Sequence, residues 1–155
     1  MEKNVIIDFY EAFVSLDAEA MASCYAEEVE FSDPAFGLLK GDQAGNMWRM
    51  LVESQRGKSF KVTFSDVLVE GNKASAKWEA HYTFGKSKRP VHNIIIAEFT
   101  LKDGKIIAHT DKFDLYRWAR QAMGTPGLLF GWTPWFKKKL QARTRGMLKV
   151  FEAKN

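Results

Sequence analysis

Four runs of alternating character follow one another between residues 60 and 113, and two of their joints are no more than "EGNK" and "KDGK". Turns that short, each containing glycine, close antiparallel hairpins, so this stretch constrains the fold more than any other. The first run, "FKVTFSDVLV", buries Phe60, Val62 and Phe64. In "AKWEAHYTF", Trp78, Ala80, Tyr82 and Phe84 fall on one face, with Glu79, His81 and Thr83 on the other. "VHNIIIAEFTL" is apolar on both faces, as a central strand would be. "KIIAHTDKF" completes the meander.

The periodicity ahead of the meander is helical. In "EKNVIIDFYEAFVSLD", Ile6, Phe9, Tyr10, Phe13 and Leu16 recur at helical spacing. Asp17 then caps a short second helix, "AEAMASCY". A strand over "EVEFS", a turn around Gly37 and Gly41, and a third helix over "DQAGNMWRMLVESQ" follow, the helix turning Met47, Leu51 and Trp48 inward. Helices gathered before an antiparallel meander define an α+β domain whose curved sheet is covered by those helices. After Phe113, "DLYRWARQAM" reads as a helix capped by Asp114 and closed by "GTPG". A last helix starts with Thr133 as its cap and Pro134 in the first turn. The expected organisation is one domain over residues 1–123 and a basic, amphipathic helical extension over 124–155.

Composition narrows the function classes. The length of 155 residues and an apolar content of 46% suit a single globular domain. No apolar run reaches the ~18–20 residues of a membrane span. The start, "MEKNVIIDFYEAF", lacks the layout of a signal peptide, and a lone cysteine, Cys24, forms no internal disulfide, so a cytoplasmic protein is expected. Charge is segregated: residues 1–114 carry 14 basic against 18 acidic side chains, whereas residues 115–155 carry nine basic against Glu152 alone. Any electrostatic partner should therefore meet the C-terminal end. No phosphate loop, dinucleotide fingerprint or metal-ligand spacing is present, so neither cofactor nor metal is expected. The aromatic and basic residues form no recognised nucleic-acid module.

Three polar positions fall where apolar residues would be ordinary. Asp33, in "EFSDPAF", either caps a turn or lies at the lip of a pocket. Alternation puts His109 and Asp111 on one strand face, side by side, where a carboxylate stabilises and orients an imidazole for acid–base work; the other reading is a solvated strand end. Tyr10 lies on the apolar side of helix 1, either as a core residue or with its hydroxyl aimed into a cavity.

The stretch "CYAEEVEFSDPAFGLLKG" followed by "MWRML" resembles the opening of the nuclear transport factor 2-like superfamily. "LKDGKIIAHTDKFDLYRWARQAMG" resembles the last hairpin of its SnoaL-like and limonene-epoxide-hydrolase-like branches, so the resemblance spans residues 4–123. It implies a cone, in which a strongly bent antiparallel sheet wraps around the N-terminal helices and leaves a deep apolar pocket. It also implies a homodimer with a hydrophobic small molecule as its partner. Relatives of this kind include isomerases, cyclases, hydrolases and pure binding proteins. By the same resemblance Asp33 matches the general base of the ketosteroid isomerases and Tyr10 their oxyanion-hole tyrosine. Their second donor, a protonated aspartic acid, falls on Ala97 or Ile96, neither of which can donate. Asp111 matches the catalytic aspartate of the SnoaL-like cyclases and epoxide hydrolases. The Arg and Asp that epoxide hydrolases also need correspond to Trp78 and Ala80.

The resemblance moves Asp33 and Asp111 into the pocket, with Tyr10 and His109 as partners in catalysis and Asn93, Trp78, Tyr82, Phe36, Trp48, Phe113 and Ala97 around the ligand. The expected function is acid–base catalysis on a hydrophobic substrate; the alternative is a binding protein without turnover. The tail adds a separate alternative: "FGWTPWF" and the lysines after it either lie on an anionic membrane surface or pack on the domain or its partner with the lysines in water.

Overall fold

The computed structural model describes residues 4–155. Helices α1 (Val5–Val14) and α2 (Ala18–Ser23) open it. Each starts where a side chain satisfies exposed backbone donors: Asn4 accepts from Ile6 and Ile7, and Asp17 accepts from Ala20. The apolar stripe of α1, formed by Ile6, Phe9, Tyr10 and Phe13, is buried.

Strands β1 (Tyr25–Asp33) and β2 (Gly37–Lys40) form a hairpin, and α3 (Asp42–Gln55) follows. The meander then comprises β3 (Lys61–Glu70), β4 (Lys73–Phe84), β5 (Arg89–Lys102) and β6 (Lys105–Lys112). The spatial order is β2-β1-β6-β5-β4-β3, a single curled sheet with two free edges. Register breaks between Ser65 and Leu68, between Thr100 and Leu101, and between Tyr25 and Glu30 add local twist and bend the sheet around the helices.

Three details depart from the sequence reading. Residues 37–40 form a strand and not only a turn, because Leu39 pairs with Phe31 and is buried on the same side. The sheet is not wholly antiparallel: β1 and β6 run parallel, with β2, α3 and β3–β5 between them in the chain. β5 is central, yet only its Ile95, Ala97 and Phe99 side is covered; Ile94 and Ile96 point outward and stay exposed.

At the C-terminus α4 (Leu115–Met123) starts at Asp114, whose carboxylate accepts from Arg117. Next come α5 (Thr125–Phe130) and α6 (Pro134–Lys154), the latter capped by the Thr133 hydroxyl. Leu148 of α6 joins the main core, whereas Phe136 and Leu140 join a smaller cluster with Val91, Trp118, Ala119 and Ala122. Residues of α6 also hold the loop after β1. Gln141 donates to the Pro34 carbonyl, Thr144 to that of Ala35, and Arg145 to those of Phe36 and Leu38. That clamp fixes the segment on which Asp33 sits.

Candidate active site

The site is built from the two parallel neighbours β1 and β6. Phe31 pairs with His109 and Ser32 with Thr110, so Asp33 and Asp111 follow as the next inward-facing residues on strands about 4.8 Å apart. Both line one cleft of about 300 Å³, together with Ser32, Pro34, Thr110, Lys112, Phe113 and Lys137.

Asp33 combines the two roles that its sequence context left open. Its Oδ1 accepts from the backbone N–H groups of Ala35 at 2.9 Å and Phe36 at 2.6 Å, so it does cap the turn. It also faces the cleft, half-buried. Burial pushes its carboxyl up to about 7, and the neighbouring Asp111 charge adds to the rise, against the opposing pull of the Phe36 and Ala35 hydrogen bonds.

Asp111 is buried and held from behind. Its Oδ1 lies 2.8 Å from His109 Nε2 and 3.4 Å from Trp78 Nε1. His109 Nδ1 lies 2.8 Å from the Tyr25 hydroxyl, which accepts from Trp48 Nε1, also at 2.8 Å. Indole N–H groups only donate, which orders the protons along the chain. Trp48 donates to Tyr25, which leaves the phenol proton placed to go to Nδ1 and Nε2 to face Asp111 Oδ1. Each ring nitrogen of the relay and the Tyr25 hydroxyl then has a partner. Burial keeps the Tyr25 phenol well above its ordinary value, so it remains a donor.

Tyr10 is the exception. Its hydroxyl is buried with no hydrogen-bond partner among the described residues. Burial, and secondarily the charge of Asp111, hold this phenol protonated. The ring stacks on Phe64 and meets Phe9 and Phe99 edge-on. A buried donor without an acceptor costs ~1–3 kcal/mol, and here it lies within the electrostatic reach of the site's carboxylate.

The cone's interior is filled by aromatic rings. Trp48 and Trp78 pack against each other and against Phe13, with Phe9, Phe31 and Phe99 around His109. Trp48 and Phe36 are core residues, and Trp78 supports Asp111 from inside. Ala97 pairs with Asp111 across β5 and β6 and is fully buried, so a methyl occupies the place beside the carboxylate. Phe113 walls the cleft. Tyr82 stands elsewhere: it accepts from Trp118 Nε1 and lines a second, open cleft of about 440 Å³ with His81, His92 and Gln121. Asn93, half-buried opposite Ala80 on β4, lines neither. Sequence reasoning missed Tyr25 and Lys137. Tyr25 precedes a register break and lies 84 residues from His109, so no periodicity marks it. Lys137 belongs to a basic run and carried no sign that it reaches the cleft.

A curled, unclosed sheet of six strands with helices at both ends of the chain defines the fold class, and comparison with known proteins agrees. The SnoaL-like domain family matches residues 6–109, and the chain belongs to that family. No curated protein matches the chain. Among solved structures, TerC co-crystallised with polyporic acid is 19% identical, with 71% of this chain and 88% of that chain covered at a TM-score of 0.60. An epoxide hydrolase of the limonene-epoxide-hydrolase-like type from M. tuberculosis is 20% identical, with 82% and 88% covered at 0.58. A protein of ketosteroid isomerase-like fold from Catenulispora acidiphila, in complex with trimethylamine, is 14% identical, with 86% and 100% covered at 0.65. At these identities the likeness establishes the fold.

Proposed function

We propose that the protein is an acid–base enzyme acting on a hydrophobic small molecule, with Asp33 as the proton-transfer group. The observation that carries this reading is the inward pair Asp33–Asp111 at one cleft, with Asp33 raised to about 7. A carboxyl that titrates near neutrality is present in both forms, so it can accept a proton from an activated C–H or a water and return it. Asp111, held by His109 and Trp78, adds to the rise that burial gives the Asp33 carboxyl. Lys137 at the rim offers a cation to a developing oxyanion.

The test is turnover of a panel of enones, epoxides and polyketide-like aromatics by the wild type, Asp33→Asn and Asp111→Asn. Product formation that Asp33→Asn abolishes, with a wild-type pH profile rising near 7, is the expected result. Normal turnover by both variants would overturn it. The filled interior and the methyl of Ala97 beside Asp111 favour a second reading, a binding protein that orients an apolar ligand without changing it. Recovery of one unmodified small molecule per chain, with no product after prolonged incubation, would decide for that reading.

The exposed Ile94 and Ile96 on the outer sheet face support a homodimer formed across that face. No helix of the described residues is long and apolar enough to cross a membrane.

A further inference from the structure

We infer that the elbow between α5 and α6 is a docking surface for an anionic lipid bilayer. Five large apolar side chains within eight residues stand in solvent there: Leu128, Leu129, Phe130, Trp132 and Trp135, with Trp132 67% exposed. Scattered surface hydrophobes are ordinary, but a continuous cluster with two tryptophans is not.

The backbone forces this presentation. Gly127 sits so close to α4 that a Cβ there would meet the Ala119 carbonyl oxygen at 1.9 Å, and one on Gly131 would meet the Ala119 Cβ at 2.6 Å. With its glycine side pressed on α4, the elbow can turn its bulky residues only outward. Tyr116 donates to the Leu128 carbonyl, and Trp132 Nε1 to that of Leu129, so the cluster is held by local bonds. Phe130 and Trp135 meet edge-on.

Charge selects the partner. Lys137, Lys138 and Lys139 follow directly and are exposed, and Lys139 lies over the Trp135 ring at 4.8 Å. Between Asp114 and Glu152 there is no acidic residue. The face of α6 turned away from the core continues the pattern with Lys149 and Val150. Aromatic and leucine side chains that protrude, backed by lysines and no acids, suit the boundary between acyl chains and negatively charged headgroups. A protein partner would need a shaped apolar recess; a bilayer needs only depth and negative charge. Lys137 also lines the Asp33–Asp111 cleft, so docking sets that mouth beside the lipid. If the proposed reaction holds, an apolar substrate dissolved in the bilayer would enter there; the docking itself does not depend on that reaction.

The experiment is co-sedimentation of the full chain with phosphatidylcholine vesicles containing phosphatidylglycerol, against pure phosphatidylcholine, at low and high salt. Binding only to the anionic vesicles, weakened by salt, is expected, with a blue shift of tryptophan emission as Trp132 and Trp135 leave water. The pair Trp132→Ala/Trp135→Ala should lower the affinity by at least about tenfold, and Lys138→Glu/Lys139→Glu by more than the roughly fivefold per charge that neutralisation alone gives. Both variants should keep wild-type circular dichroism and melting, since all four side chains are exposed. No sedimentation at low salt, or undiminished binding by the tryptophan variant, would overturn the inference. So would self-association in the absence of vesicles that the tryptophan variant abolishes, which would assign the elbow to contact between copies.

Discussion

At the scale of single residues, two buried tyrosines make opposite predictions. Tyr25 both accepts and donates, so Tyr25→Phe leaves Trp48 Nε1 and His109 Nδ1 without partners in a buried site. It should destabilise the fold by about 2–3 kcal/mol in chemical denaturation. Tyr10→Phe removes a hydroxyl that bonds to nothing among the described residues, and should be neutral or stabilising by up to about 1 kcal/mol. A large loss from Tyr10→Phe would mean that its hydroxyl has a partner after all. Asp33 predicts a pH dependence. Its folded carboxyl titrates near 7 against an ordinary 3.8, so between those values the folded state holds a proton that the unfolded state has released. Stability therefore falls as pH rises through this window, and above 7 the ionised side chain costs its full amount. Asp33→Asn keeps an oxygen for the Ala35 and Phe36 N–H groups and removes the cost. The variant should match the wild type near pH 4 and exceed it at pH 8, by about 2 kcal/mol once partial exposure is allowed for. Equal differences at both pH values would refute the raised titration. Alternation alone made the His109–Asp111 adjacency legible, because a two-residue spacing in a strand fixes a shared face. The Tyr25–Trp48 end of the relay was not legible: its partners come from separate elements, and only the closed sheet brings them together.

At the scale of elements, the alternating runs and the capping residues carried most of the architecture. Asp17, Asp114 and Thr133 each accept the backbone bond that their position implied. What stayed hidden were two short elements that, unlike α2 behind Asp17, open on no capping side chain. β2 has four residues and α5 has six, too few for a period to show, and each is held by tertiary contact. In α5 that contact is the Gly127 approach to Ala119. Gly127→Ala should therefore cost about 3 kcal/mol, because the new methyl meets rigid backbone and not a side chain that can swing aside. Gly146 is the control. It lies in α6 with open space where a Cβ would stand, nothing coming within 4 Å, so Gly146→Ala should raise stability by ~0.5–1 kcal/mol through helix propensity alone. Thermal melts of the two variants separate the effects. A tolerated Gly127→Ala would show that α5 can shift off α4, and would loosen the argument that the elbow is held outward.

At the scale of the whole molecule, the sheet has one finished face and one unfinished face. Its concave side is sealed by α1, α3 and the aromatic core, while the convex side leaves Ile94 36% and Ile96 46% exposed at the centre of a long strand. Polar pairs flank them. Lys112 bonds Glu98, and His92 bonds Glu79 at 2.7 Å while stacking on His81. An apolar centre within a polar margin is the anatomy of a protein interface, and two copies related by a two-fold axis would bury it. The sequence marked this strand correctly as central, but its apolar pattern does not say what, if anything, lies against its outer side. Sedimentation velocity should give a dimer for the wild type. Ile94→Lys/Ile96→Lys should shift it to monomer with an unchanged far-ultraviolet spectrum and an unchanged Asp33 titration, since the altered side chains point away from the cleft. A monomeric wild type would refute the interface and leave the exposed isoleucines without a partner. A double variant that stays dimeric would move the contact to another surface.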